Sequence, residues 1–206
     1  MKTSGAERGR PRSFDRDQAL HRAMEVFWAQ GYEGASIGDL TAAMGIERPS
    51  LYAAFGCKEA LFRQAVELYT KEGKGLTKQA LARAPTARAA VAAMLHDNAV
   101  FYAAPGKPLG CLVVLSAVVG TPASAEVRAE LVARRDDVRR AVEARIRQGM
   151  ADGDVAATAD AGLMANFYCT VLNGLSLQAR DGRSADELIA IGAAAIAAWE
   201  ILAGAP

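Results

Sequence analysis

Apolar residues recur at three- and four-residue spacing over most of the chain, with polar residues filling the positions between them. From Asp15 onward, Leu20, Met24, Phe27 and Trp28 fall on one helical face, with Asp15 placed to cap the helix and Gly31 to end it. Ser36 caps a second helix with Asp39 three residues on. Ile37, Leu40 and Met44 line its inner side, and Gly45 stops it where glycine most easily turns left-handed. Pro49 suits the first turn of a third helix, where a missing N–H costs nothing, and Leu51, Phe55 and the aliphatic part of Tyr52 anchor that helix. A fourth helix begins near Lys58 and carries Leu61, Phe62, Val66 and Tyr69 inward, after which Gly73, Gly75 and Pro85 loosen the pattern.

Thr86 starts a fifth helix through Val91, Met94, Leu95 and Phe101, broken by Pro105-Gly106-Lys107-Pro108. Residues 109–119 are apolar nearly all round, which predicts a central buried helix. Thr121-Pro122 opens a long amphipathic helix with Val127, Leu131, Val138, Val142 and Ile146 inward, closed by Gly149 and Gly153. Its outer face pairs Glu130 with Arg134, Asp136 with Arg140 and Glu143 with Arg147 at i,i+4 spacing. Two more helices are predicted, over residues 158–180 and 184–202, the second opened by a Ser184–Glu187 capping box. No segment alternates apolar and polar residues with β-branched enrichment, so the predicted fold is all-α, with about nine helices and no internal repeat.

Composition narrows the class. Hydrophobic residues make up 51% and charged residues 23% of the 206, ordinary for a globular protein with a substantial core. The net charge is only +1, so the whole-chain balance does not announce a polyanionic partner. The charge is unevenly placed, however: Lys2, Arg8, Arg10 and Arg12 stand against Glu7 alone in a leader containing Gly and Pro, read as a flexible basic arm over residues 1–12. Cys57, Cys111 and Cys169 are widely separated, odd in number and without a CxxC pair, which favours a reducing compartment over a disulfide framework. The N-terminus lacks the apolar stretch of a signal peptide, and the longest apolar run is too short to span a bilayer. A cytoplasmic protein is therefore expected, with no membrane contact and no cofactor.

Within residues 36–62 a capped short helix, a glycine turn, a second short helix and a restart at Lys58 make a helix-turn-helix. A helix that reads DNA must project polar side chains at base edges while its other side is held to a scaffold. The third helix has both features, with Arg48, Ser50 and Tyr52 outward and Leu51 and Phe55 inward. Arg48 suits phosphate or the N7/O6 edge of guanine, and Ser50 and Tyr52 are hydroxyl donors. Lys58 and Ser36 open helices, where backbone N–H groups and the helix dipole favour a phosphate. The basic arm can follow the adjacent backbone or minor groove.

The run Gly31-Tyr32-Glu33-Gly34-Ala35-Ser36-Ile37, then Met44-Gly45-Ile46, Pro49-Ser50-Leu51-Tyr52, Phe55 and Lys58-Glu59-Ala60-Leu61 resembles the N-terminal domain of TetR-family transcriptional regulators, over about residues 14–65. The resemblance implies an all-helical homodimer that binds a pseudo-palindromic double-stranded operator and is released by a small effector held in a divergent C-terminal domain. It implies DNA contacts at Ser36, Pro49, Ser50, Tyr52 and Lys58, a reading head over residues 13–72 and a sensing and dimerising part over 73–206. The family pattern is broken at Thr41, where a small Ala is common, and at Cys57, where a better capping residue is usual. At Ala54 a His or Tyr often precedes the Phe, and its loss removes one frequent phosphate contact.

In the C-terminal part the last two helices suit pairing across a two-fold axis. Leu163, Phe167, Ile189 and Ile196 supply apolar area, and Gly174, Gly192, Ala193 and Ala197 allow close approach. Candidate pocket residues are Tyr69, Met94, Phe101, Tyr102, Cys111, Leu115, Met164 and Tyr168, for each of which plain core packing outweighs a pocket role. Asn98 and Asn166 are polar amides on apolar helices that can orient a ligand or face water. Two other classes stay open. A metal- or thiol-redox-responsive regulator would use Cys111, Cys169 and His96. A small helical enzyme is opposed by the lack of HExxH, GxSxG, a phosphate-binding glycine loop or clustered metal ligands.

Overall fold

Side-chain caps start most of the helices at the places where the sequence changes period. A computed structural model describes residues 14–73, 75–116 and 120–203. Among these residues every regular element is helical: α1 (Arg16–Gly34), α2 (Ile37–Met44), α3 (Arg48–Phe55), α4 (Lys58–Glu72), α5 (Leu76–Arg83), α6 (Ala87–Ala103), α7 (Leu112–Leu115), α8 (Ala125–Asp152), α9 (Ala161–Arg180), α10 (Ala185–Ala197) and α11 (Trp199–Ala203). The fold is all-α, as the periodicity predicts. Asp15 accepts from the N–H groups of Asp17 and Gln18 at 2.9 and 3.1 Å. Ser36 with Asp39, and Ser184 with Glu187, close reciprocal capping boxes that satisfy otherwise orphaned donors.

The head is α1–α4. Phe27, Leu40, Leu51, Leu61 and Phe62 are fully enclosed between these helices, and the Phe27 and Phe62 rings meet edge to face at 5.0 Å. Each such side chain contributes about 1.5–3 kcal/mol on burial, enough to hold two eight-residue helices that are too short to be stable alone. Gly31 leaves helical geometry (φ 74°, ψ 174°), so α1 is broken there and its last residues run in a new direction. The predicted stop at Gly31 is this break.

The remaining helices enclose a second core around Met94, Leu95, Ile146, Met164, Tyr168 and Leu188, with α6 in contact with α5, α8, α9 and α10. α8 buries Val127, Leu131, Val142 and Ile146 and leaves Val138 half-buried. Its outer face carries the predicted pairs: Arg134–Glu130 at 2.8 Å, Arg147–Glu143 at 2.6 Å, and Arg140 on Asp136. Arg139 joins two of them by bonding Asp136 and Glu143, both at 2.7 Å. Among the described residues no helix is long and apolar enough to cross a membrane.

Three expectations are corrected. The segment read as loose after Gly73 holds α5, because Gly75 adopts a left-handed conformation (φ 64°) at its N-cap and starts a helix instead of ending one. The predicted central helix over residues 109–119 is reduced to the single turn α7. Gly110 is left-handed (φ 76°), and the carbonyls of Leu109 and Gly110 bond to Arg180 and to the Trp28 indole, partners outside the segment. Tyr52 does not anchor α3 but stands exposed. Residues 117–119 and the basic arm, residues 1–12, lie outside the described residues.

A Cβ at Gly110 would lie 2.6 Å from the Ser176 carbonyl oxygen and 2.7 Å from Leu115 Cδ1, whereas one at Gly106 (φ 81°) meets nothing within 4 Å. Both Gly→Ala changes carry the left-handed penalty of about 1–2 kcal/mol. Gly110→Ala adds an overpacking cost of about 1–3 kcal/mol. Chemical denaturation should show the larger loss at Gly110, and equal losses would remove the close approach as the reason for that glycine.

Candidate functional site

The turn between α2 and α3 is built from one glycine and short-range backbone bonds. Gly45 is left-handed (φ 67°) at the end of α2, and the Ile46 N–H donates to the Thr41 carbonyl at 3.1 Å. α3 then starts at Arg48 with Pro49 in its first turn. Leu51 and Phe55 are buried against the head, so α3 cannot roll, and its opposite side exposes Arg48, Pro49, Tyr52 and Ala53. Tyr52 is 48% exposed, a large aromatic surface for a protein to leave in water. Ser50 is half-buried on the flank. Among the described residues Arg48 has no carboxylate within ion-pair distance, so its guanidinium is free for an acceptor from outside. Ala53 was not among the predicted contacts; its place one helical turn from Pro49 is the signal that identifies it, and a methyl group there suits a thymine methyl.

The predicted backbone contacts are more committed. The Ser36 hydroxyl accepts from the Asp39 N–H at 3.0 Å and donates to Asp39 Oδ2 at 2.6 Å; this bond, with a second from the Ser36 N–H at 3.0 Å, holds the Asp39 carboxyl below its usual range. Lys58 Nζ lies 4.6 Å from the centre of the Tyr32 ring, and burial lowers its pKa from the ordinary value. Cys57 serves as the α4 cap through its sulfur, which accepts from the Ala60 N–H at 3.4 Å. Ala54 is half-buried against the head core.

A cavity of about 400 Å³ lies behind the head, between α4, α5, α6, α8, α9 and the connection over residues 109–116. Of the predicted pocket residues, Tyr69, Asn98, Phe101, Tyr102 and Cys111 line it. Met94, Met164 and Tyr168 do not: all three are fully enclosed in the second core, because the positions they occupy face other helices. Leu115 is likewise absent from the walls; it packs toward Gly110. Asn166 is exposed, whereas Asn98 is 4% exposed and donates to the Met94 carbonyl at 2.8 Å and to Thr77 Oγ1 at 3.1 Å. Sequence reasoning missed Thr77 because α5 itself was not seen, and missed Arg134, Arg135 and Val138 because the period of α8 does not show that this stretch of it borders a cavity.

The Tyr69 hydroxyl donates to Cys111 Sγ at 3.4 Å, and burial, with Cys111 alongside, pushes Tyr69 and Tyr102 well above the ordinary phenol value. Cys169 also lines the cavity, its thiol pushed up to about 11 by burial. His96 is exposed beside Asp97 and is not a cavity wall, so the three proposed metal ligands do not converge. Among the described residues no three His, Cys, Asp or Glu side chains form a metal site. Lys107 stacks over the rings of Trp28 and Phe101 at 4.7 and 4.0 Å, and burial pulls its pKa down to about 8.

The predicted dimer residues divide. Leu163 is 56% exposed, and Gly174 and Ala193 are exposed. Phe167, Ile189 and Ile196 are half-buried against the chain's own core. Gly192 is buried, its Cβ position 3.4 Å from Leu95, so it serves α6–α10 packing within the chain. Leu177, 50% exposed and two heptads beyond Leu163, and Ile191 extend the apolar surface.

Comparisons with known proteins agree with this layout. The profile of "Bacterial regulatory proteins, tetR family" matches residues 19–65, and that of "Tetracyclin repressor-like, C-terminal domain" matches residues 85–195. The HTH-type transcriptional repressor ComR of Escherichia coli is 31% identical over 193 residues, which is 93% of this chain and 92% of ComR. The E. coli repressor BdcR is 30% identical over 188 residues, 91% of this chain and 90% of its own. Among solved structures, a cysteine mutant of the TetR family transcriptional regulator CifR, complexed with 26-bp double-strand operator DNA, is 49% identical with a TM-score of 0.89, covering 93% of this chain and 100% of that one. The chain belongs to the TetR family and is a DNA-binding transcriptional regulator rather than an enzyme.

Proposed function

We propose that this regulator is a repressor that binds a pseudo-palindromic operator as a homodimer in the cytoplasm and is released by a small molecule held in the cavity behind the head. The observation that carries the reading is α3: it is pinned by Leu51 and Phe55 while Arg48, Pro49, Tyr52 and Ala53 face outward. Ser50 supports it from the flank, and Ser36 and Lys58 supply helix N-termini for phosphates. Two such heads about 34–36 Å apart reach successive major grooves on one face of a duplex. We assign residues 1–12 to the adjacent DNA backbone, residues 13–72 to the head, and residues 73–206 to effector binding and dimerisation. The repressors ComR and BdcR, and CifR on its operator, support the assignment.

The test begins with the purified protein selecting its operator from a random duplex library; failure to enrich any sequence would remove the reading. On the selected operator, Tyr52→Ala should weaken binding by about 1–3 kcal/mol per half-site at fixed salt. Binding equal to wild type would exclude Tyr52 as a contact. The double change Leu163→Glu and Leu177→Glu should yield a folded monomer by light scattering and circular dichroism, with operator binding lost at concentrations where the wild type binds. A dimer of unchanged stability would move the interface elsewhere.

A second reading is favoured by one observation: Cys111 lines the cavity and accepts from Tyr69 on α4, so chemistry at its sulfur would disturb a helix of the head. In that case a thiol-alkylating reagent releases the operator from wild type and from Cys57→Ser, but not from Cys111→Ser. Release from all three alike would set the reading aside.

A further inference from the structure

The cavity walls differ sharply in how their charges are used. Arg134 is engaged by Glu130 at 2.8 Å, Asp137 by Arg140 at 2.5 Å, and Lys78 is exposed to water. Arg135 is different. It is half-buried, it has no carboxylate partner among the described residues, and its bond is a single one from Nη1 to the Val113 carbonyl at 2.9 Å. A guanidinium carries five N–H donors in a planar fork, so one neutral acceptor leaves most of them unused. Burial lowers its pKa, as expected of a cation without a counter-charge. The apolar part of the wall is chiefly Tyr69, Phe101, Tyr102, Val113, Val138 and Leu172; Thr70, Thr77, Asn98 and Asn173 add neutral polar groups, and Asp137 is its sole carboxylate among the described residues.

We propose that the effector is an organic monocarboxylate with an apolar body, its carboxylate held by the Arg135 guanidinium and its body by the aromatic and aliphatic wall. This rests on the reading of the cavity as the effector site. One unpaired guanidinium matches one carboxylate in the two-bond geometry that planar forks favour, whereas a doubly charged phosphate would leave charge uncompensated here. A volume of about 400 Å³ falls within the range of small-molecule sites. The same residue supplies a route to the head. Val113 lies in the 109–116 connection, where the Gly110 carbonyl accepts from the Trp28 indole N–H at 3.3 Å and the Ser116 carbonyl from the Tyr32 N–H at 2.8 Å. A carboxylate that recruits Arg135 competes with the Val113 carbonyl and so loosens the segment that holds the end of α1.

Calorimetric titration of the full-length protein with octanoate and benzoate, against the neutral octanamide and benzamide, tests the assignment. At least one of the two acids should bind about tenfold or more tighter than its amide. Arg135→Gln should abolish that preference, Arg135→Lys should retain part of it, and Arg147→Gln on the outer face of α8 should leave it intact. Equal binding of acid and amide, no binding of either acid up to about 10 mM, or a preference that survives Arg135→Gln would overturn the proposal. The acid-against-amide comparison needs no variant, so a misfolded Arg135→Gln protein does not rescue it. Adding the selected operator separates the two readings: an acid that binds through Arg135 without releasing DNA defeats effector-relieved repression and leaves the ligand class standing.

Discussion

The joint between the two halves of the molecule is a guanidinium set on carbonyl groups. Arg180, near the end of α9, donates from Nη2 to the Trp28 carbonyl at 2.6 Å, from Nη1 to the Ala29 carbonyl at 2.8 Å and from Nε to the Leu109 carbonyl at 3.1 Å. The break at Gly31 deprives the end of α1 of helical hydrogen bonds, and carbonyls left without partners at a helix C-terminus attract a cation. No carboxylate among the described residues pairs with Arg180, and burial lowers its pKa, so its donors are concentrated on those three oxygens. One side chain thereby ties the head, the 109–116 connection and α9 together.

Around that joint the cavity and the head share material. Cys111 and Val113 are walls of the cavity and members of the connection, and Tyr69 is a wall that belongs to α4. Gly31 must be glycine on two counts: its φ is 74°, and a Cβ there would lie 3.1 Å from the Ser116 carbonyl oxygen. A small displacement of the connection therefore acts on the end of α1 directly and on α4 through the Tyr69–Cys111 contact. Packed interfaces of this kind shift between discrete arrangements and do not deform smoothly, which suits a regulator that must change operator affinity on binding a small ligand.

Much of this was legible in the residues. Asp15, Ser36, Thr86 and Ser184 all cap helices through their side chains, and the period of apolar residues located the buried faces of α1, α4 and α8 correctly. The reading face of α3 was visible for the same reason, since Leu51 and Phe55 define its back. The two failures in placing helices share one cause. Gly75 and Gly110 are both left-handed, yet one opens a helix and the other holds a chain segment open, and the residue type alone does not distinguish them. Nine helices of eight or more residues are present among the described ones, the expected number, but α5 takes the place of the helix predicted over 109–119.

Local chemistry thus determined what could be decided within a few turns of chain: helical class, caps, the helix-turn-helix and its outward residues, and the resemblance that named the family. The tertiary structure decided everything that depends on which groups meet across long sequence separations. It enclosed Met94, Met164 and Tyr168 as core, brought α5 and α8 to the cavity, and left Arg135 without a counter-charge. It also set Lys58 over the Tyr32 ring. The physical reason is that periodicity records which side of a helix is apolar, whereas the neighbour that side meets is set by packing all the helices at once.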